Sequence, residues 1–219
     1  MRLTVFGATG GTGLQVVRRA LIKDHRVTAV VRDPSRLPAD LRDRAGDGAA
    51  LEVVRADVMD PGAIEDAVKG SDAVVTAIGT REGRTPTTVC EDSTRSITAA
   101  MAAVGERRFL MVSASGFANG PGDDPLTRYV VKPMLLKPML KHAFADMARA
   151  EDVVRASGLD WTIVRPPRLT DGDGKGRYRA AVDRNVLGGF TLARADLALA
   201  LLDHAADPSA IGHVVSVGG

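Results

Sequence analysis

The chain has 219 residues, 45% of them hydrophobic and 26% charged, which suits one domain with its own core, or at most two small ones. A single cysteine, Cys90, excludes a disulfide framework and a multi-cysteine zinc site. Twenty-nine basic against 27 acidic residues leave a formal net charge of +2, and the absence of any Lys/Arg run or aromatic-basic interleaving argues against a nucleic-acid face.

Residues 3–6 form a short apolar run that predicts a strand, and residues 14–22 then repeat apolar side chains at helical spacing. Residues 27–31 are β-branched and apolar, predicting a second buried strand; residues 51–54 predict a third, ending near Asp57. A short helix with proline near its start is expected over 61–69, and a fourth strand over 73–78, stopped by Gly79. A long helix over 87–104, a fifth strand over 108–112 and a helix over 143–157 follow. A sixth strand over 161–164, a late helix over 195–206 and a closing strand over 214–217 complete the series. Strands alternating with helices at this spacing predict an α/β fold, a mainly parallel sheet with helices on both faces. No repeat or linker divides residues 1–219, so one domain is expected. Residues 116–142, rich in Gly, Pro, Leu and Met, read as an insertion, a lid or part of a pocket wall.

The N-terminal residues lack the apolar h-region of a signal peptide, and the stretch 129–140 is broken by Lys132, Pro133, Lys137 and Pro138 and is too short to cross a bilayer. A cytoplasmic protein without a membrane partner is expected. The four histidines (His25, His142, His204 and His213) offer no H-x-x-x-H pair, so no metal site is expected.

Gly7-Ala8-Thr9-Gly10-Gly11-Thr12-Gly13 sits where the first strand turns into the first helix. The first glycine of G-x-x-G-x-x-G permits a tight turn, the second lets a diphosphate approach the backbone, and the third lets helix and strand pack closely. Free N–H groups at the helix start and the helix dipole then favour the anion. Gly7, Thr9, Gly10, Gly11, Thr12 and Gly13 are therefore candidate dinucleotide ligands, the bland alternative being a ligand-free turn. After the second strand comes Arg32-Asp33-Pro34-Ser35-Arg36. An acidic residue there would hold the ribose 2′-hydroxyl of NAD, whereas arginine accommodates the 2′-phosphate of NADP. Arg32 and Arg36 could clamp that phosphate, which favours NADP(H) over NAD(H), with Asp33 as the counter-argument.

These motifs, with Gly79-Thr80-Arg81, Thr85-Pro86-Thr87-Thr88-Val89 and the run Ser157-Gly158-Leu159-Asp160-Trp161-Thr162-Ile163-Val164-Arg165-Pro166-Pro167, resemble the atypical short-chain dehydrogenase/reductases. Within them the chain is similar to the biliverdin-IXβ reductase/flavin reductase family and its NmrA-like relatives. The resemblance implies a Rossmann-type doubly wound sheet. It implies that Asp57 and Val58 meet the adenine, that Ala77, Gly79, Thr80 and Arg81 pass along the cofactor, and that Pro166 and Pro167 line its nicotinamide end. Asp57 could instead be a helix N-cap or a turn residue. Ser115 matches the serine that the family places beside the nicotinamide, and Ser113 is a further cofactor candidate; turn chemistry at a strand end is the alternative for both. Ser115, Phe117 and Arg168 are candidates for the acceptor pocket, with Ser115 and Arg168 as the catalytic candidates that position the acceptor.

Two departures bear on chemistry. The Tyr-x-x-x-Lys dyad of ordinary short-chain dehydrogenases is absent: Tyr129 has Lys132 at i+3, and Tyr178 has Val182 at i+4. The family's histidine after the Pro-Pro pair is replaced by Arg168, and its histidine on the preceding helix by Glu151, although Asp146 and Glu151 could simply be a solvated helix face. Arginine cannot act as an acid near neutral pH, but it can bind an acidic acceptor. The expected activity is an NADPH-dependent reductase passing hydride to a flavin, quinone or similar conjugated small-molecule acceptor. With only five Phe, two Tyr and one Trp, a flavin is expected as a diffusible substrate rather than a resident group. An NADP(H)-sensing regulatory protein of NmrA type and a nucleotide-sugar epimerase or dehydratase relative are the alternatives, and the chain is expected to be a monomer or homodimer.

Overall fold

The computed structural model describes residues 1–46, 48–80, 85–116 and 140–219. In chain order these form β1 (Arg2–Phe6), α1 (Gly11–Ile22), β2 (Arg26–Val31), α2 (Ala39–Arg42), β3 (Leu51–Arg55), α3 (Pro61–Val68), β4 (Ala73–Thr76) and α4 (Val89–Val104). There follow β5 (Arg108–Val112), α5 (Lys141–Ala156), β6 (Asp160–Arg165), β7 (Arg168–Thr170), β8 (Arg179–Val182), β9 (Thr191–Ala193), α6 (Arg194–Ala205) and β10 (His213–Gly218). The main sheet runs β3-β2-β1-β4-β5-β6-β10-β8. Every pairing in it is parallel except that of β8 with β10. β7 and β9 pair in parallel as a separate two-stranded sheet.

Alternation along β1 shows how the layers are built, because successive side chains of a strand point to opposite faces. Leu3 and Val5 pack with Val16, Val17 and Ala20 of α1 and Leu197, Ala198 and Leu201 of α6. Phe6 packs on the other face with Ile64 and Val68 of α3, Ile97 and Met101 of α4, and Ala150 and Val154 of α5. Thr4, the one polar residue in the buried run, donates its hydroxyl to the Ala67 carbonyl at 2.6 Å, so its burial leaves no unmet bond. This is the doubly wound α/β fold that the alternation predicts.

The expected strands and helices all occur, with shifted ends. The first helix begins at Gly11 rather than residue 14, so part of the glycine motif is its first turn. The fourth strand stops at Thr76 rather than at residue 78. Residues 168–193, which the sequence leaves unassigned, hold β7, β8 and β9; these are only three or four residues long, so they carry no apolar period to read. The insertion expected over 116–142 falls mostly outside the described residues, and α5 begins at Lys141 within it. No helix among the described residues is long and apolar enough to cross a membrane.

Candidate functional site

A cleft of about 500 Å3 opens at the carboxyl ends of β1, β2, β3 and β4, where ligands collect on open α/β sheets. Gly7, Thr9 and Gly10 border it from the first turn, Arg32 and Arg36 from the end of β2, Asp57 and Val58 from beyond β3, and Ala77, Gly79 and Thr80 from beyond β4. Ten of the sequence candidates thus converge on one cleft. Thr85, Pro86 and Thr87 complete its wall ahead of α4.

The turn is built by close backbone approach. Gly7 has φ +77, and a side chain there would place Cβ 2.8 Å from the Ala77 carbonyl oxygen. A Cβ on Gly13 would lie 2.2 Å from the Gly7 carbonyl oxygen, so Gly13 is needed for helix–strand contact. The Gly10 N–H donates to the Gly7 carbonyl at 2.9 Å. Among the described residues no side chain caps α1 at Gly10, and no acidic residue lies in its first turn. An uncapped helix start opening beside a cleft fits an anionic diphosphate, because the first-turn N–H groups carry partial positive charge. Gly11, Thr12 and Gly13 do not line the cleft; they lie within the helix behind it.

At the end of β2, Asp33 accepts from the Ser35 N–H at 3.0 Å and from the Ser35 hydroxyl at 2.7 Å. These bonds hold its carboxyl below the usual aspartate range, the nearby Arg36 and Arg55 adding to the effect. Asp33 therefore caps the short turn Pro34–Arg36 and does not line the cleft that Arg32 and Arg36 face. Asp57 accepts from the Met59 N–H at 3.1 Å, whereas the N-cap of α3 is Asp60, which accepts from Gly62 and Ala63. Of the two alternatives for Asp57, the helix N-cap is corrected, and the bond from Met59 is that of the turn residue.

The exits of β5 and β6 lie side by side: the Ser113 N–H donates to the Val164 carbonyl at 2.8 Å, and the Ser115 N–H to the Pro166 carbonyl at 2.9 Å. Pro166 is buried, Pro167 half-buried, and Arg168 exposed at the start of β7. None of Ser113, Ser115, Pro166, Pro167 and Arg168 borders the 500 Å3 cleft. Arg81 and Phe117 lie outside the described residues. Glu151 is 1% exposed and accepts from the Ser113 hydroxyl at 2.6 Å, from Arg165 Nε at 2.8 Å and from Arg155 at 2.7 Å. Burial by itself pushes its carboxyl up, but the bonds from Arg165, Ser113 and Arg155 outweigh that and hold it below the ordinary glutamate value. Glu151 is thus an ionised structural carboxylate, and the Ser113 proton is committed to it.

The solvated-face alternative for Asp146 and Glu151 is corrected, since both are buried. Asp146 reaches from α5 to cap α4, accepting from the Cys90 N–H at 2.9 Å and the Glu91 N–H at 3.0 Å. Burial, and then the Asp146 charge, push the Cys90 thiol up to about 12. Sequence reasoning also missed Arg194, at the first position of α6, whose side chain lies against Gly11. Its local sequence carries no glycine-motif signal, and only tertiary packing brings it to the turn. Among the described residues no group of three or more His, Cys, Asp or Glu converges on a metal-sized site.

Residues 7–208 match a family model described as NAD(P)H-binding. The uncharacterized protein YwnB of Bacillus subtilis is 29% identical over 215 residues, covering 95% of this chain and 93% of its own. A short-chain dehydrogenase/reductase from Veillonella parvula, solved in complex with NADP, aligns with TM-score 0.80 at 22% identity over 100% of this chain and 94% of its own. ChuY, an anaerobillin reductase from Escherichia coli O157:H7, aligns with TM-score 0.77 at 22% identity over 99% and 96%. At such identities the likeness to the two solved structures is one of fold.

Proposed function

The chain belongs to the NAD(P)H-binding family, and from that premise we propose that it is a cytoplasmic NADPH-dependent reductase that passes hydride to a flavin, quinone or similar conjugated small molecule. One observation carries the choice of NADPH: Arg32 and Arg36 face the cleft while the Asp33 carboxylate is occupied by Ser35. A carboxylate bound to its own turn is a poor partner for a ribose 2′-hydroxyl, whereas two guanidinium groups suit a 2′-phosphate. The NADP complex of the Veillonella parvula fold relative is consistent with this reading.

Bound NADPH supplies the hydride; NADPH, a proton and the oxidised acceptor yield NADP+ and the two-electron-reduced acceptor. In this reading the chain's part is positioning. The glycine turn of Gly7, Thr9 and Gly10 holds the diphosphate, supported by the first helical turn at Gly11, Thr12 and Gly13. Asp57 and Val58 flank the adenine; Ala77, Gly79, Thr80 and Arg81 follow the cofactor; Ser115, Pro166 and Pro167 border its reactive end. Arg168, exposed at the start of β7, and Phe117 would receive the acceptor. The sequence has no Tyr-x-x-x-Lys dyad to serve as the acid, and Glu151 is held ionised by its arginines, so the proton is assigned to water. A flavin or quinone tolerates that, because hydride enters a conjugated ring without a protein acid at the same atom.

The test is the ratio of NADPH to NADH affinity in Arg32→Ala/Arg36→Ala, measured by fluorescence titration. Loss of charge-assisted phosphate bonds lowers it by roughly tenfold or more; an unchanged ratio removes the assignment. NADPH oxidation is then followed with FMN, FAD and a quinone. Tight binding without turnover across that panel would replace the reductase with the sensor reading.

A further inference from the structure

Over its described residues the cofactor site has a charge deficit. The start of α1 offers the equivalent of roughly half a positive charge, and Arg32 and Arg36 are assigned to the 2′-phosphate at the other end of the adenosine. Among the described residues chosen from sequence, none places a full cation beside the diphosphate. Gly11 is the position where the missing cation shows itself. It is the first residue of α1, a place that does not favour glycine, and it is not among the glycines with positive φ. Glycine costs about 1 kcal/mol relative to alanine in a helix interior, and conformation does not require it here. What a side chain there would meet is Arg194: a Cβ on Gly11 would lie 2.8 Å from its Nε and 2.9 Å from its Cδ, so the arginine lies directly over the first turn of α1.

We propose that Arg194 is the cation facing the cofactor diphosphate, seated over the start of α1 in the gap that Gly11 leaves. The proposal rests on the reading of this cleft as an NADPH site. The fold delivers the arginine there in two steps. The parallel register of β7 and β9 sets Thr170 opposite Ala193, so the next residues, Asp171 and Arg194, emerge together. Asp171 then accepts from Arg194 Nη1 at 2.6 Å. Asp171 is 91% exposed and Arg194 28%, so water screens the pair and it contributes little binding energy. Its effect is to fix the direction of a long side chain. The guanidinium has five N–H donors, of which Asp171 takes one, and the remainder can meet phosphate oxygens at the uncapped helix start.

A crossed binding experiment on the full chain tests this, with NADPH and adenosine 2′-monophosphate as ligands. The second ligand keeps the adenine and 2′-phosphate but has no diphosphate. Arg194→Ala is expected to weaken NADPH by about tenfold or more and to leave adenosine 2′-monophosphate unchanged, whereas Arg32→Ala weakens both. Arg194→Lys, keeping the charge but losing the fork, restores part of the loss. Gly11→Ala, which displaces the arginine without deleting it, gives a similar loss, and the double variant Gly11→Ala/Arg194→Ala is no weaker than either single one. Unchanged NADPH affinity in Arg194→Ala, with the Arg32 effect intact, overturns the role of Arg194 alone. Equal weakening of both ligands also overturns it, by marking a general lesion. If the unmodified chain binds neither ligand, the NADPH reading itself falls, and the proposal with it.

Discussion

Replacing Glu151 with Gln leaves Arg165 and Arg155 facing a neutral amide in a site almost closed to water. Breaking a buried pair costs about 3–5 kcal/mol, and because Arg155 is 38% exposed the low end is expected, read by urea unfolding at pH 7. The pH dependence has a definite sign. The Glu151 carboxyl is depressed below the ordinary value of 4.5, so its stabilisation is complete above that pH and is lost as pH falls toward the folded value. His204 acts earlier on the same descent. Burial lowers its pKa from 6.5 against the opposing pull of Asp207 and Asp203, and its ring nitrogens have no hydrogen-bond partner among the described residues. Below pH 6.5 the unfolded chain takes up a proton that the folded chain refuses, and stability drops. His204→Phe is expected to flatten the midpoint-versus-pH curve between pH 6.5 and 5; an identical slope in that variant would remove His204 as the cause. Some slope remains, because burial depresses His25 as well. None of this was visible in the sequence. Glu151 stood out as a position where a histidine was expected, but its partners Ser113 and Arg165 lie 38 and 14 residues away, and no local spacing reveals a buried charge.

Two elements share one cap. Helix α4 has no side-chain acceptor of its own at Thr88 and borrows Asp146 from α5, so the start of one helix depends on the packing of the other. Asp146→Ala is expected to cost about 1–2 kcal/mol, the range for a lost N-cap. It should also speed reaction of Cys90 with a disulfide reagent, since both the aspartate charge and the seal over the thiol go. Thiol labelling no faster than in the unmodified protein would show that the cap does not govern access to Cys90. In the first strand–helix unit the converse holds, and almost everything was legible. The glycine spacing marked the turn because Gly13 answers to Gly7 within the same unit, whereas the contact of Gly7 with Ala77 beyond β4 is one that only the fold reveals. Gly13→Ala, with its Cβ forced to 2.2 Å from a backbone oxygen, is expected to destabilise by about 1–3 kcal/mol, as overpacking does, with a fall in melting temperature. The paired strands β7 and β9 were illegible for the opposite reason: three residues each, with Leu192 the one fully buried, cannot establish a period.

Across the whole molecule the parallel order was recoverable from alternation, but the far edge of the sheet was not. β10 lies between β6 and β8, so a strand distant in sequence from β6 is its neighbour in the sheet. Deleting residues 213–219 therefore removes an interior strand, and loss of cooperative thermal unfolding is expected by circular dichroism; retention of a sharp transition would show that the sheet tolerates an open gap there.

The same arrangement bears on how the chain is born. A ribosome delivers β8 well before β10, yet β8 pairs with β10 in the main sheet, and β6 likewise waits for β10 on one side. During that interval β6 offers a row of unpaired peptide groups, the template that draws in foreign strands. Translation slowed between codons 183 and 212 would lengthen the exposure, and synthesis speed over that stretch would set the yield of soluble protein without altering one residue of it.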